Sequence, residues 1–111
     1  MVFTPGDSVQ YIPRSIVIKT IVKKITGNVS VISVESGEII SEKILPFDTL
    51  IQIIDGDAKI IIDGHQTQLA TGQAIIIPAH TSNSMEANVR FKMVSTVFKS
   101  GYEDVGLIDV I

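Results

Sequence analysis

Residues 51–78, IQIIDGDAKIIIDGHQTQLATGQAIIIP, decide the fold. Isoleucine runs alternate with short polar segments, and Asp-Gly pairs stand at Asp55-Gly56 and Asp63-Gly64. Asp-Gly accepts the positive φ angles of a tight hairpin turn, and β-branched flanks favour extended backbone. A hairpin turn is therefore predicted at each pair. Thr71-Gly72 punctuates the chain again before the apolar run 74–77, which Pro78 ends. The stretch reads as three or four short antiparallel strands, the centre of a small sandwich or barrel.

Outside it the same chemistry continues. Isoleucine and valine together number 32, against four leucines and five alanines, an excess of χ1-stiff residues that favours strands over helices. No segment sustains a 3.6-residue apolar period, so the chain is all-β. Residues 1–14 are irregular, broken by Pro5-Gly6 and Pro13, with a short edge strand expected at 8–12. Strands are expected at 15–25 and 29–35, around a turn at Thr26-Gly27-Asn28, and then at 39–45, after the turn Ser36-Gly37-Glu38. Pro46 separates these from a strand at 49–54. Beyond Pro78, strands are expected at 83–87 and 89–99, with Gly101 ending the last.

At 111 residues the chain is read as one domain, long enough to bury roughly two-thirds of its unfolded surface. Without cysteine it has neither disulfides nor thiolate metal sites. No basic stretch followed by an apolar core opens the N-terminus, and no apolar run approaches the ~20 residues of a membrane helix. A cytoplasmic protein without membrane attachment is the expectation. Net charge is −3, and Lys19, Lys23 and Lys24 have no aromatic residue among them, so nucleic acid is not an expected partner. They read as a solvated strand face.

Ile60–Ile62 and Ile75–Ile77 are apolar on both strand faces, where a half-solvated sheet would alternate. A covered outer face follows, with a second copy of the chain as the expected cover and a homodimer as the expected state. The apolar tail 105–111 adds surface that either joins this contact or folds back on its own sheet.

Spacing then identifies a relative. Gly37 is followed after five residues by Lys43, after one more by Leu45, after three by Thr49 and after six by Gly56. Gly72 is followed after five residues by Pro78, after one by His80 and after two by Asn83. The glycines Gly37, Gly56 and Gly72 and the proline Pro78 fall in the register of the two cupin motifs, at about 37–56 and 72–87. The chain resembles a small single-domain cupin, which implies a double-stranded β-helix, or jelly-roll, barrel. In metal-binding members, three histidines and a glutamate hold the ion at four of these positions. Here those positions carry Lys43, Leu45, Thr49 and Asn83. An ammonium and an isobutyl group offer no lone pair, and hydroxyl and amide oxygens are weak neutral ligands. No metal and no cofactor are expected. His65, beside the second Asp-Gly pair, reads as an exposed turn residue, and Asp48 should leave by the face opposite Thr49.

Strand alternation points Lys43, Leu45, Thr49, Ile51 and Ile53 inward, followed by Asn83, Met85 and Ala87, with Phe91 and Met93 opposite. His80 is expected at the rim. The expected ligand-binding set is Lys43, Leu45, Thr49, Ile51, His80, Asn83, Met85, Phe91 and Met93. The methionines also serve as gap-fillers. Such a pocket, apolar with a few polar groups at one end, suits a small molecule with an anionic terminus. Alternatively, Lys43 snorkels to the rim and pairs with Glu42 or Asp48.

Three functions are open to this barrel. It binds a small apolar, anionic ligand as a metal-free homodimer. It is an enzyme of isomerase, lyase or oxygenase type, using Lys43 as base or nucleophile or holding a non-standard metal, since metal-free enzymes occur among cupin-like barrels. Or it is a structural or regulatory domain whose side chains fill the cavity.

Overall fold

A computed structural model of the chain describes residues 1–99. Over these residues the β-branched segments form eight strands: β1 (Ile16–Lys24), β2 (Gly27–Val34), β3 (Ile39–Ile44), β4 (Asp48–Ile62), β5 (His65–Ala70), β6 (Ala74–Ile77), β7 (Ser82–Glu86) and β8 (Phe91–Phe98). All the pairings are antiparallel, along the path β1-β2-β8-β4-β7-β3, with β5 and β6 also beside β4. The sheet curls on itself as a jelly-roll barrel, and β1 and β3 end its path. No helix among the described residues is long and apolar enough to cross a membrane. The expected strand end at Gly101 and the tail 105–111 lie outside the described residues.

The two Asp-Gly pairs part company. Asp63 and Gly64 form the expected hairpin turn between β4 and β5, with φ of 48° and 81° and Ile62 paired to His65. Positive φ at both central residues is the turn that matches strand twist. Asp55-Gly56 makes no turn. There β4 continues unbroken, 15 residues in all, and its register against β8 slips between Ile53 and Asp55. This bulge bends β4, so that its first half pairs with β6 and β8 and its second with β5 and β7. Gly56 has φ of 71°, and a Cβ there would sit 2.0 Å from the Arg90 carbonyl oxygen. One bent strand thus replaces the two strands and hairpin expected at 49–62. The first hairpin differs less: Ile25-Thr26 turn, and Gly27 already pairs with Lys24.

Residues 8–12 form no strand. A short 3-10 turn, Pro5–Asp7, leads into a strap that crosses the outside of β2. Val9 is buried beneath the strap, and the Ser33 hydroxyl donates to the Gln10 carbonyl at 2.8 Å. Lys92 Nζ donates to the Gly6 carbonyl at 2.6 Å, and the Tyr11 hydroxyl to Asp55 Oδ2 at 2.6 Å. The Arg90 guanidinium lies 4.4 Å above the Tyr11 ring. Val31 and Ser33 are therefore as buried as Ile32 and Val34 on the inner face. The chain's own N-terminus thus covers the outer face of β2, while Ile76, in one of the runs expected to be covered by a second copy, is 52% exposed.

Burial first, then the hydrogen bond to Asp55 and its negative charge, push the Tyr11 phenol above its usual value of about 10, against the charge of Arg90. A raised folded value means this stabilisation is complete below about pH 10 and is lost as the pH climbs towards the folded value. Tyr11→Phe is expected to lose about 1 kcal/mol near neutral pH. It should then lose less than wild type on going from about pH 10 to pH 12, measured by urea midpoints. Parallel pH profiles would remove the phenol from this role.

Candidate functional site

The barrel's two ends differ. Around the β4 bend, Phe91, Ile53, Ala58 and Ile60 are each 0% exposed and pack solid with Leu69 and Ala87. Towards the other end, where β4 begins and β8 finishes, the interior opens into a cavity of about 310 Å³. It reaches from Val97, Thr49 and Ile77, which pair across adjacent strands, to Ile16 and Ile18 of β1 and Ile39 and Ile40 of β3. On the side of the two terminal strands its lining includes Ile18 and Ile39, which are 62% and 56% exposed.

Three local features aim the polar side chains. In β3 the register against β7 shifts between Ile40 and Lys43. This irregularity at Ser41-Glu42 brings both Ile40 and Lys43 to the cavity side, although strict alternation would separate them. Lys43 pairs with Asn83, which is 4% exposed. The Asn83 amide nitrogen donates to the Lys43 carbonyl at 3.3 Å, with a longer contact to the Thr81 carbonyl at 3.5 Å, leaving the amide oxygen for the cavity. Asp48 turns outward and accepts from the Ala79 backbone N–H at 2.7 Å, tying the β6–β7 loop beside β4. Its neighbour Thr49, 7% exposed, lines the cavity.

The alternative partners for Lys43 are engaged elsewhere: Glu42 accepts from the Ser82 hydroxyl, and Asp48 holds Ala79. Among the described residues the single ion pair, Lys59 to Glu86 at 3.0 Å, lies on the outer face of β4 and β7. Lys43 is exposed at the rim.

Of the nine residues expected to bind ligand, Lys43, Leu45, Thr49, Ile51, Asn83, Met85 and Met93 line the cavity. Phe91 and His80 do not. Phe91 has the inward parity expected of it but sits one step too far along β8, inside the packed end. His80 lies exposed in the loop after β6, donating its backbone N–H to the Leu45 carbonyl at 2.7 Å. It takes φ of 63° at a motif position whose usual glycine adopts that conformation freely. The cavity also takes in Ile16, Ile18, Ile32 and Ser95, which the sequence reading did not select. Ile16 and Ile18 share one face of β1, and Ile32 pairs with Ile18 from β2, but nothing local in the sequence shows that this face closes over the cavity.

All four motif positions, Lys43, Leu45, Thr49 and Asn83, converge on the one cavity. Together they offer a cation, a hydrocarbon, a hydroxyl and an amide, a donor set that does not fit a first-row metal. Among the described residues no group of three or more His, Asp or Glu side chains is placed to hold an ion.

Solved structures give the fold independent support. A conserved protein of unknown function from Streptococcus pyogenes superposes with a TM-score of 0.86 at 26% identity, over 92% of this chain and 90% of that one. A cupin superfamily protein from Desulfitobacterium hafniense gives 0.82 at 24% identity, over 87% and 90%. A cupin 2 conserved barrel domain protein from Leptotrichia buccalis gives 0.83 at 28% identity, over 85% of this chain and 46% of that one. No family model matches the chain, and no curated protein does so by sequence. With the motif glycines in register and the jelly-roll path complete, the chain is a small cupin-fold barrel in which lysine, leucine, threonine and asparagine stand where the metal-binding cupins place their ligands.

Proposed function

We propose that the barrel binds a small, largely apolar molecule with an anionic end, without a metal, and that it does so as a homodimer. One observation carries the binding: the cavity of about 310 Å³ is lined by all four motif positions, which set Lys43, Thr49 and Asn83 in a mostly aliphatic wall. That volume is at the lower limit of small-molecule sites, roughly 300–1,000 Å³. Lys43 at the rim meets the anion, Thr49 supplies a hydroxyl that can donate to it, and the aliphatic walls take the remainder.

Ser95 faces Ile51 across β8 and β4 and lines the cavity, so Ser95→Phe fills the space from the wall. Native mass spectrometry of protein purified without denaturation is expected to show a bound small molecule, lost on organic extraction and absent from Ser95→Phe. A wild-type protein that carries nothing and takes up nothing from a panel of small carboxylates and apolar compounds would defeat the proposal.

Charge supports the dimer. The two strands that end the sheet path both expose isoleucine, and β1 adds Lys19, Lys23 and Lys24, while β3 carries Glu42 beside Lys43 and follows Glu38. In a two-fold pair, β1 of each copy can lie along β3 of the other, with unlike charges facing and the exposed isoleucines covered. Sedimentation equilibrium is expected to give a dimer, and Ile18→Lys a monomer that remains folded. A monomeric wild type at tens of micromolar rejects the assembly.

A further inference from the structure

We infer that the ligand is a medium-chain aliphatic monocarboxylate, bound with its carboxylate at Lys43 and its chain running along the cavity towards Met93. This inference rests on the binding function proposed above and narrows it to one chemical class. Among the described residues, eleven of the sixteen that line the cavity are isoleucine, leucine, valine or methionine, and none is aromatic. Planar rings are recognised by stacking on other rings or on guanidinium groups, which this wall lacks, and sugars by many hydrogen bonds, for which it has only Ser41, Lys43, Thr49, Asn83 and Ser95. Methionine and isoleucine give an irregular, purely dispersive surface that a flexible alkyl chain can follow.

Charge sets the other end. Lys43 is the single charged residue in the lining, which suits one negative charge and leaves a phosphate dianion half-compensated. Asn83 commits its amide N–H₂ to backbone carbonyls, so its oxygen can only accept and makes no bond to the carboxylate. Thr49 can donate to the carboxylate. On β8 the cavity runs from Val97 to Met93, four residues or about 13 Å of strand at roughly 3.3 Å per residue. An extended octanoate is shorter than that run and fits within it.

The test is calorimetric titration of the intact protein with butanoate, hexanoate, octanoate, octan-1-ol and 2-naphthoate. Affinity is expected to rise about fourfold per added methylene from butanoate to octanoate. Octan-1-ol and 2-naphthoate should each bind at least about tenfold more weakly than octanoate, the first for want of a charge-assisted bond. Lys43→Met should weaken octanoate about tenfold or more and leave octan-1-ol unchanged. Because Lys43 is exposed, this variant should keep the wild-type melting temperature, which checks its fold.

Octan-1-ol equal to octanoate, naphthoate tighter than octanoate, or a Lys43→Met variant with undiminished octanoate affinity would overturn the aliphatic carboxylate and leave a binding cavity for another ligand. A series with no dependence on chain length would likewise overturn it. Failure of every probe, together with a wild-type protein that carries no native ligand, would overturn both this inference and the function beneath it.

Discussion

Gly56→Ala is expected to unfold the barrel or to lower its melting temperature by about 15 °C or more. The new Cβ would lie 2.0 Å from the Arg90 carbonyl oxygen and 3.0 Å from Phe91 Cα, at a φ of 71°. Left-handed backbone costs a residue with a side chain about 1–2 kcal/mol. The overlap is with backbone, which cannot swing aside as a side-chain tip can, so β4 and β8 must separate at the bend. Together these effects amount to roughly 3–5 kcal/mol, against a total stability of about 5–15 kcal/mol for a domain. Gly64→Ala is the control. Its φ of 81° is equally left-handed, but nothing lies within 4 Å of the added Cβ, so only the conformational cost of about 1–2 kcal/mol remains. Thermal melts followed by circular dichroism should separate the two variants widely. Equal losses would mean that the approach of Arg90 to the bend is not what requires glycine.

Phe91→Ala is expected to cost about 3–5 kcal/mol, the range for removing a fully buried aromatic ring. Phe91 is 0% exposed and pairs with Val34 on one side and Gly56 on the other, so its ring closes the packed end of the barrel. Val97→Ala, on the same strand but already facing the cavity, leaves little new void and should cost about 1 kcal/mol. The contrast tests the division of the interior into a solid end and a hollow one. Chemical denaturation of the pair measures it, and similar losses at both positions would erase the division.

The frame of this fold is legible in the sequence because it is written in local chemistry. Asp63-Gly64 turns where it should, Pro78 ends β6, and the motif spacing places Lys43, Leu45, Thr49 and Asn83 on one cavity. Asp55-Gly56 is misread for an instructive reason. A hairpin turn and a bulge ask for the same positive φ at glycine, and the choice between them is made by β8, whose partner residues lie some 35 positions further along the chain. Phe91 is misplaced because alternation reports the face a side chain takes and not how far along the barrel the interior is filled. The β3 irregularity that brings Ile40 to the same side as Lys43, and the β1 isoleucines that line the cavity, depend on pairings between distant segments. The strap is hidden for the same reason: Tyr11 finds Asp55 across 44 residues.

Because β4 bonds to β5, β6, β7 and β8, the molecule has no natural line of division. A break placed in the exposed Asp63-Gly64 turn would leave every ladder intact, so new termini belong there. Cutting β4 at its bend would strip both sheets of their shared member at once, and neither fragment would hold a complete layer on which the other could reassemble.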